Sequence, residues 1–432
     1  MSGAAGLRVA MVVYDDIALD SRIQREATSL AAAGYAVTVF CRNGSRETVP
    51  MLDPAVEVVA VPHGDGPKDR AGANPFHRRV SGLPGGAAIR RIRWLGSYGR
   101  SLWRWGRAVT DIADSFDVWH AHDFTGLVAI STRRTRRHTV VYDVHDLFTD
   151  TGTGARLPSP VRSVLRRVER RLVRRVDLVV TVNEALAQVI RRRYHPRSIA
   201  VVHNCPPRWS PSVPRPDLIR DATGVPGDAP IILYHGALGA ERGVDRVCDA
   251  LLEPGLENAH AVLLGFGPHR ARYVGLAREA RYGGRVHLLD PVVPSELLRW
   301  VESADVGVVV MQRTSLNLYL STPNKLFECL AAGTPVVVSD FPSMRAIVAE
   351  DPSGPLGAVC DPKSVKDVAR GLRDILGAAS QDRVTLRQRC SSAAHERWNW
   401  ETEAAALLDG YAALPVPRDS RTRMPMRSSA DG

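Results

Sequence analysis

Short runs of aliphatic and β-branched residues recur along the chain. Each is followed by a longer stretch whose apolar positions repeat every three to four residues. That alternation is the pattern of parallel α/β sheets. In the first half it predicts strands at Leu7–Val13, Ala36–Cys41, Val56–Val61, Val118–Ala121, Thr139–Val144, Leu178–Val182 and Ala200–Val202. The stretch from Pro206 to Pro216 is too rich in proline for a sheet or helix interior and reads as an interdomain linker. Strands resume at Ile231–Tyr234, Ala261–Leu264, Val286–Leu288, Val306–Val310 and Pro335–Ser339. The expected organisation is a Rossmann-like domain over 1–205, a linker over 206–216 and a second Rossmann-like domain over 217–395. A helix over 396–414 is expected to pack back toward the first domain, and the polar tail over 415–432 to be disordered.

Composition agrees with this reading. The chain has 432 residues, of which 44% are hydrophobic and 24% charged, enough for two well-filled cores and far from a disordered or collagen-like composition. Lysine and arginine outnumber aspartate and glutamate by 57 to 46, a formal charge of +11 that points to an anionic partner. The six cysteines form no C-x-x-C pair and read as buried free thiols of a reducing compartment. No basic segment followed by an apolar run opens the chain, and no stretch of about 18 apolar residues occurs. A cytoplasmic protein is expected.

In open α/β sheets ligands bind beyond the carboxyl ends of the strands. Two consecutive predicted strands end in His120-Ala121-His122-Asp123 and Asp143-Val144-His145-Asp146. Two His-Asp pairs one crossover apart can project into one cleft, although either pair alone could simply close a strand end. In the second half, Tyr234-His235-Gly236 leads through Gly239 to Arg242-Gly243 between a strand and a helix. Such a turn lets backbone amides approach phosphate oxygens, and an arginine there can grip a pyrophosphate. Gly265-Phe266-Gly267 repeats the pattern more weakly, and either glycine run read alone is equally well a plain tight turn. Pro323-Asn324-Lys325 opens a helix on which Lys325 and Glu328 share a face, with Gly333 placed to cap it. Read alone, that couple is a surface ion pair; beside a phosphate turn, the lysine suits the phosphates and the glutamate a pair of ribose hydroxyls.

Taken in order along nearly the whole chain, these segments resemble the retaining GT-B glycosyltransferases of family 4. The resemblance rests on Asp20-Ser21-Arg22 through Glu26, Tyr142-Asp143-Val144-His145-Asp146, Leu178 to Asn183, Gly236 to Gly243, Gly265 to Pro268, Ser303 to Val306, and Pro323 to Pro335. It implies two Rossmann-like domains facing a central cleft. It also implies transfer of a sugar from a UDP- or GDP-linked donor with retained anomeric configuration and no obligatory metal or cofactor. Gly236, Arg242, Gly265, Asn324, Lys325 and Glu328 are the implied donor-binding residues, and His145, His122 and Asp146 the implied catalytic ones. The family's E-x7-E signature is incomplete, because Leu320 stands where its first glutamate would. A catalytically inactive nucleotide-sugar-binding scaffold is therefore a competing reading.

The basic residues suggest where the acceptor lies. From His77 to Thr110 there are eight arginines and no acid, interleaved with Trp94, Tyr98, Trp103 and Trp105. Ile92, Leu95, Gly99, Leu102, Gly106 and Val109 recur at helical spacing, so Ala88–Val109 reads as a basic amphipathic helix suited to an anionic membrane face. A lipid-linked or cell-envelope acceptor follows; a soluble small-molecule acceptor is the alternative. In the arginine-rich helix Val161–Val176, the stripe through Val164 or Leu165, Val168, Leu172 and Val176 reads as core, with the basic face solvated. No nucleic-acid-binding module is present, and no glycine turn after the first strand supports a dinucleotide site.

Overall fold

The computed structural model describes residues 6–45, 47, 49, 52–61, 86–112, 115–132 and 138–415, and over 86–94 the backbone alone. The chain divides into two compact units, residues 1–181, 187–202 and 404–432 in one, 182–186 and 203–403 in the other. The crossing at Val202–His203 precedes the proline segment, which belongs to the second unit, and the helix Trp400–Ala412 starts in the second unit and ends in the first.

The first unit holds a seven-stranded sheet of β1 (Arg8–Asp16), β2 (Ala36–Asn43), β3 (Glu57–Ala60), β4 (Val118–His122), β5 (Thr139–Val144), β6 (Leu178–Thr181) and β7 (Ile199–Val201), ordered β3-β2-β1-β4-β5-β6-β7. Every neighbouring pair is parallel. Helices on both faces explain why Val9 to Val12 are wholly buried instead of alternating. The order reverses between β1 and β4, the switch point where such sheets bind ligands.

The second unit repeats the plan with six parallel strands, β8 (Ile231–His235), β9 (His260–Leu264), β10 (Val286–Leu289), β11 (Val306–Val309), β12 (Val336–Ser339) and β13 (Gly357–Cys360), ordered β10-β9-β8-β11-β12-β13. Its switch point lies between β8 and β11. Thus the fold is two Rossmann-like α/β domains. All six cysteines are free and buried, and among the described residues no helix is long and apolar enough to cross a membrane.

The structure corrects the reading of two helices. In the helix Ser159–Val173 the expected core positions Val164 and Val168 are 55% and 41% exposed. Glu169 faces inward instead, where its carboxylate accepts from the Tyr142 and Tyr194 hydroxyls at 2.9 and 2.6 Å. The two valines therefore lie outside with the exposed Arg167, Arg171, Arg174 and Arg175. In the long helix Gly86–Ile112, Leu102, Gly106 and Val109 of the expected apolar stripe are buried but Gly99 is exposed, and Trp105 is buried as well, set edge-on 5.1 Å from the Tyr14 ring. Gly106 is needed there because a Cβ would meet the Ala129 carbonyl oxygen at 2.6 Å. Arg100, Trp103, Arg104 and Arg107 face outward. Residues 77–85 of the basic segment, the side chains of Arg90, Arg91, Arg93 and Trp94, and the tail from 416 lie outside the described residues.

Candidate active site

In the first unit the ends of β4 and β5 and the start of the helix Ser21–Ala32 meet at one buried cluster. Asp20 caps that helix by accepting from the Arg22 and Ile23 amides, which turns Arg22 inward. The Arg22 guanidinium grips Asp143 through two bonds of 2.8 and 3.0 Å, and donates to the Val202 carbonyl at 2.6 Å. Asp143 Oδ2 also lies 2.8 Å from His145 Nε2. His122 Nδ1 is 3.5 Å from both His145 Nε2 and Asp143 Oδ2. The two sequence-predicted histidines do come together, and the carboxylate they share is Asp143. Asp146, the third catalytic residue that the resemblance implies, is exposed on the following loop.

His145 is the ring of this set that reaches the surface, at 17% exposure, with Asp20 and Asp123 3.6 and 3.8 Å from its Nδ1. Burial alone would lower its pKa. The carboxylates of Asp143, Asp123 and Asp20 outweigh that and hold the imidazolium well above its ordinary range. Asp143 is likewise opposed by burial, yet Arg22 and His145 keep it ionised well below the usual carboxylate range. Burial, reinforced by Asp143, raises Glu26. Asp123 carries a positive φ of 57°, a strained backbone of the kind that clusters at functional sites. Glu26, His120, His122 and Asp143 bring potential metal-ligating atoms within 4.8 Å of one another. The Arg22 Nε, 2.9 Å from Glu26 and 2.8 Å from Asp143, already supplies the cation there.

In the second unit β8 ends in Tyr234-His235-Gly236, beside the helix Asn324–Ala331. Gly236 has φ +97°, and a Cβ on it would sit 3.6 Å from the Lys325 Nζ. Gly265 is required for a different reason: a Cβ would lie 2.0 Å from the Gly236 carbonyl oxygen. The two glycine turns are therefore stacked against each other, with Leu238 N bonded to the Phe266 carbonyl at 2.6 Å. Lys325 Nζ lies 3.8 Å over the Tyr234 ring, a cation–π contact, and Glu328 Oε2 is 2.8 Å from His235 Nε2. Among the described residues the Arg242 guanidinium makes one hydrogen bond, a weak one to Met311 Sδ at 3.7 Å, leaving most of its donors for a ligand. Asn324 is a brace: its Oδ1 accepts from Asn204 Nδ2 at 3.0 Å. Leu320 is buried, and its carbonyl accepts from Asn183 and Ser343.

Burial, with the charge of Arg242 added, lowers the Lys325 pKa to about 7, and Glu328 only partly opposes this. An anionic ligand beside Lys325 favours the ammonium form, which the empty site holds less and less as pH rises through about 7. Nucleoside diphosphate affinity is therefore expected to fall above that pH. Binding at pH 8 should take up close to one proton, because about nine tenths of the free lysine is then neutral. Calorimetry in Tris and HEPES at pH 8 reads this from the difference in apparent enthalpy. Equal apparent enthalpies in the two buffers would mean no proton uptake and exclude the lysine as the responding group.

Read from the sequence, Arg22, Glu26, Asp143, Tyr234 and His235 stood inside motifs but had no assigned role in the site. The spacing Arg22-x-x-x-Glu26 behind a helix cap, at the carboxyl end of the first strand, was the available signal for two of them.

Residues 19–205 match the glycosyl transferase 4-like domain and residues 217–397 match glycosyl transferases group 1. The D-inositol 3-phosphate glycosyltransferase of Xylanimonas cellulosilytica is 26% identical over 98% of this chain and 100% of its own. A GDP-mannose-dependent alpha-(1-6)-phosphatidylinositol dimannoside mannosyltransferase of Mycobacterium tuberculosis is 28% identical over 43% of this chain and 45% of its own. Among solved structures, Anabaena HepE in complex with UDP superposes with a TM-score of 0.66 at 15% identity, covering 94% of this chain and 100% of that one, a likeness of fold alone.

Proposed function

We propose that this chain, whose residues 19–205 match the glycosyl transferase 4-like domain and whose residues 217–397 match glycosyl transferases group 1, transfers a sugar from a UDP- or GDP-linked donor to an acceptor hydroxyl with retained anomeric configuration. The observation that carries the donor assignment is the grouping of Gly236, Arg242, Lys325 and Glu328 at the carboxyl end of β8. Arg242 and Lys325 neutralise the departing pyrophosphate, with the amides of the stacked glycine turns, so the reaction calls for no metal. Glu328 takes the ribose hydroxyls once His235 releases it. His145, held as an imidazolium, cannot accept a proton in that form. It stabilises negative charge at the reacting centre, and the leaving phosphate takes the acceptor's proton.

The acceptor in this reading is a lipid-linked or cell-envelope glycan precursor. Two features of the first unit support it: the outward Arg100, Trp103, Arg104 and Arg107 of one helix, and the exposed valines and arginines of Ser159–Val173. The naming of a phosphatidylinositol-linked acceptor in one relative favours it further. Each outward arginine contributes about 1 kcal/mol at an anionic bilayer, screened by salt. The protein should therefore sediment with anionic vesicles at low salt and leave them at high salt, with small, additive losses for single arginine substitutions. Equal binding to neutral and anionic vesicles would leave a soluble acceptor as the better reading. Turnover of a nucleotide-sugar panel identifies the donor, and absence of any donor hydrolysis or transfer would favour the inactive scaffold.

A further inference from the structure

We propose that Tyr411, on the helix that ends in the first unit, is a positioning residue for His145, acting through a column of rings formed by His120 and His122. The inference rests on the reading of His145 as the group used in transfer. Its basis is a continuous set of contacts across buried side chains. Tyr411 is 3% exposed, and its hydroxyl lies 2.8 Å from His120 Nδ1. The His120 ring is stacked on that of His122, with centroids 4.4 Å apart and planes 25° from parallel. His122 in turn directs Nδ1 at His145 and Asp143.

Each contact fixes the next. Burial keeps the Tyr411 phenol protonated, so it donates to Nδ1 of His120. The His120 proton must then sit on Nε2, which faces Glu26 Oε2 at 3.7 Å. Burial and the neighbouring His122 keep His120 neutral, so no second cation is stacked beneath the pair that holds the His145 proton. Neither His120 Nε2 nor His122 Nε2 has a hydrogen-bond partner among the described residues. The Tyr411 hydroxyl is thus the hydrogen bond that sets the rotation and tautomer of His120. Without it the ring can turn over inside its slot and the stack beneath His122 is no longer fixed. Arg22 and Asp143 orient His145 from the other side, so the column refines an orientation already roughly in place.

Tyr411→Phe removes one oxygen from a ring that stays packed edge-on against Tyr35 at 5.4 Å, so the helix stays docked. Imidazole proton–nitrogen correlation spectra of the full-length protein should report His120 as the Nε2–H tautomer in the wild type, and a mixture in Tyr411→Phe. Turnover with the donor sugar should fall about tenfold, a modest loss for a small misorientation of a reacting group. UDP or GDP affinity should stay within twofold. In a His120→Phe background, where no tautomer needs setting, Tyr411→Phe should cost nothing further. An unchanged His120 tautomer in Tyr411→Phe, or an equal tenfold loss in both backgrounds, overturns the proposal. Full turnover in His145→Gln would instead overturn the catalytic reading on which it rests, and the spectra distinguish the two failures.

Discussion

Replacing Lys325 with methionine should weaken UDP or GDP binding about 100-fold, or about 2.7 kcal/mol, without lowering the thermal midpoint. The two halves of that expectation come from the same surroundings. An ammonium beside Arg242 in a mostly enclosed site is disfavoured in the empty protein, which is why its pKa is depressed. Methionine keeps the length and the contact with the Tyr234 ring while discarding a group whose charge opposes folding. Stability is then unchanged or improved, whereas the diphosphate loses one of its two cations. Stability lost in parallel with affinity would mean that Lys325 holds the helix start in place, and the donor site would have to be sought elsewhere. Glu328→Gln is the useful companion: it keeps a polar partner for His235 and should weaken nucleotide binding less than the lysine change.

The sequence carried the architecture well because hydrophobic runs and turns are local signals. Among the described residues it placed eleven of the observed strands to within two residues at each end, ended β1 three residues early, and missed β13. The missed strand is four residues that begin at Gly357, behind Pro-Ser-Gly-Pro-Leu, so turn chemistry masked a short edge strand. The candidate site was legible only in part. Motif position singled out His122, His145, Gly236, Arg242, Lys325 and Glu328 as candidates, and the structure groups the first two at one strand end and the other four at another. It could not reveal that Asp143, two residues before His145 and on a buried strand, is the shared carboxylate, because that depends on Arg22 arriving from another element. Helix rotation failed for a similar reason. The apolar count put Val164 and Val168 inside, but two tyrosines from other elements pull Glu169 in instead. Long-range polar pairs decide such cases, and periodicity does not see them.

His145→Gln should lower turnover by about 10² to 10³, the range for removing one preorganised donor that stabilises developing charge, with UDP or GDP affinity unchanged within twofold. The amide preserves size and polarity, so Asp143 keeps a hydrogen-bonding neighbour. Asp143→Asn tests a different thing. It strips the buried Arg22 guanidinium of its principal counter-charge and is expected to cost about 3 to 5 kcal/mol of stability, so loss of activity there says little about chemistry. The pH behaviour separates a charge role from a shape role. With its folded pKa raised, His145 contributes stability that is fully present below its unfolded value of about 6.5 and is lost as pH rises through the folded value. The stability gap between wild type and His145→Gln should therefore be widest in mild acid and close as the solution becomes alkaline. Turnover should fall over the same rise in pH, since only the imidazolium can steady a developing negative charge. If His145→Gln transfers sugar at the wild-type rate, the cluster around Asp143 is a structural ion network and the reacting group lies elsewhere.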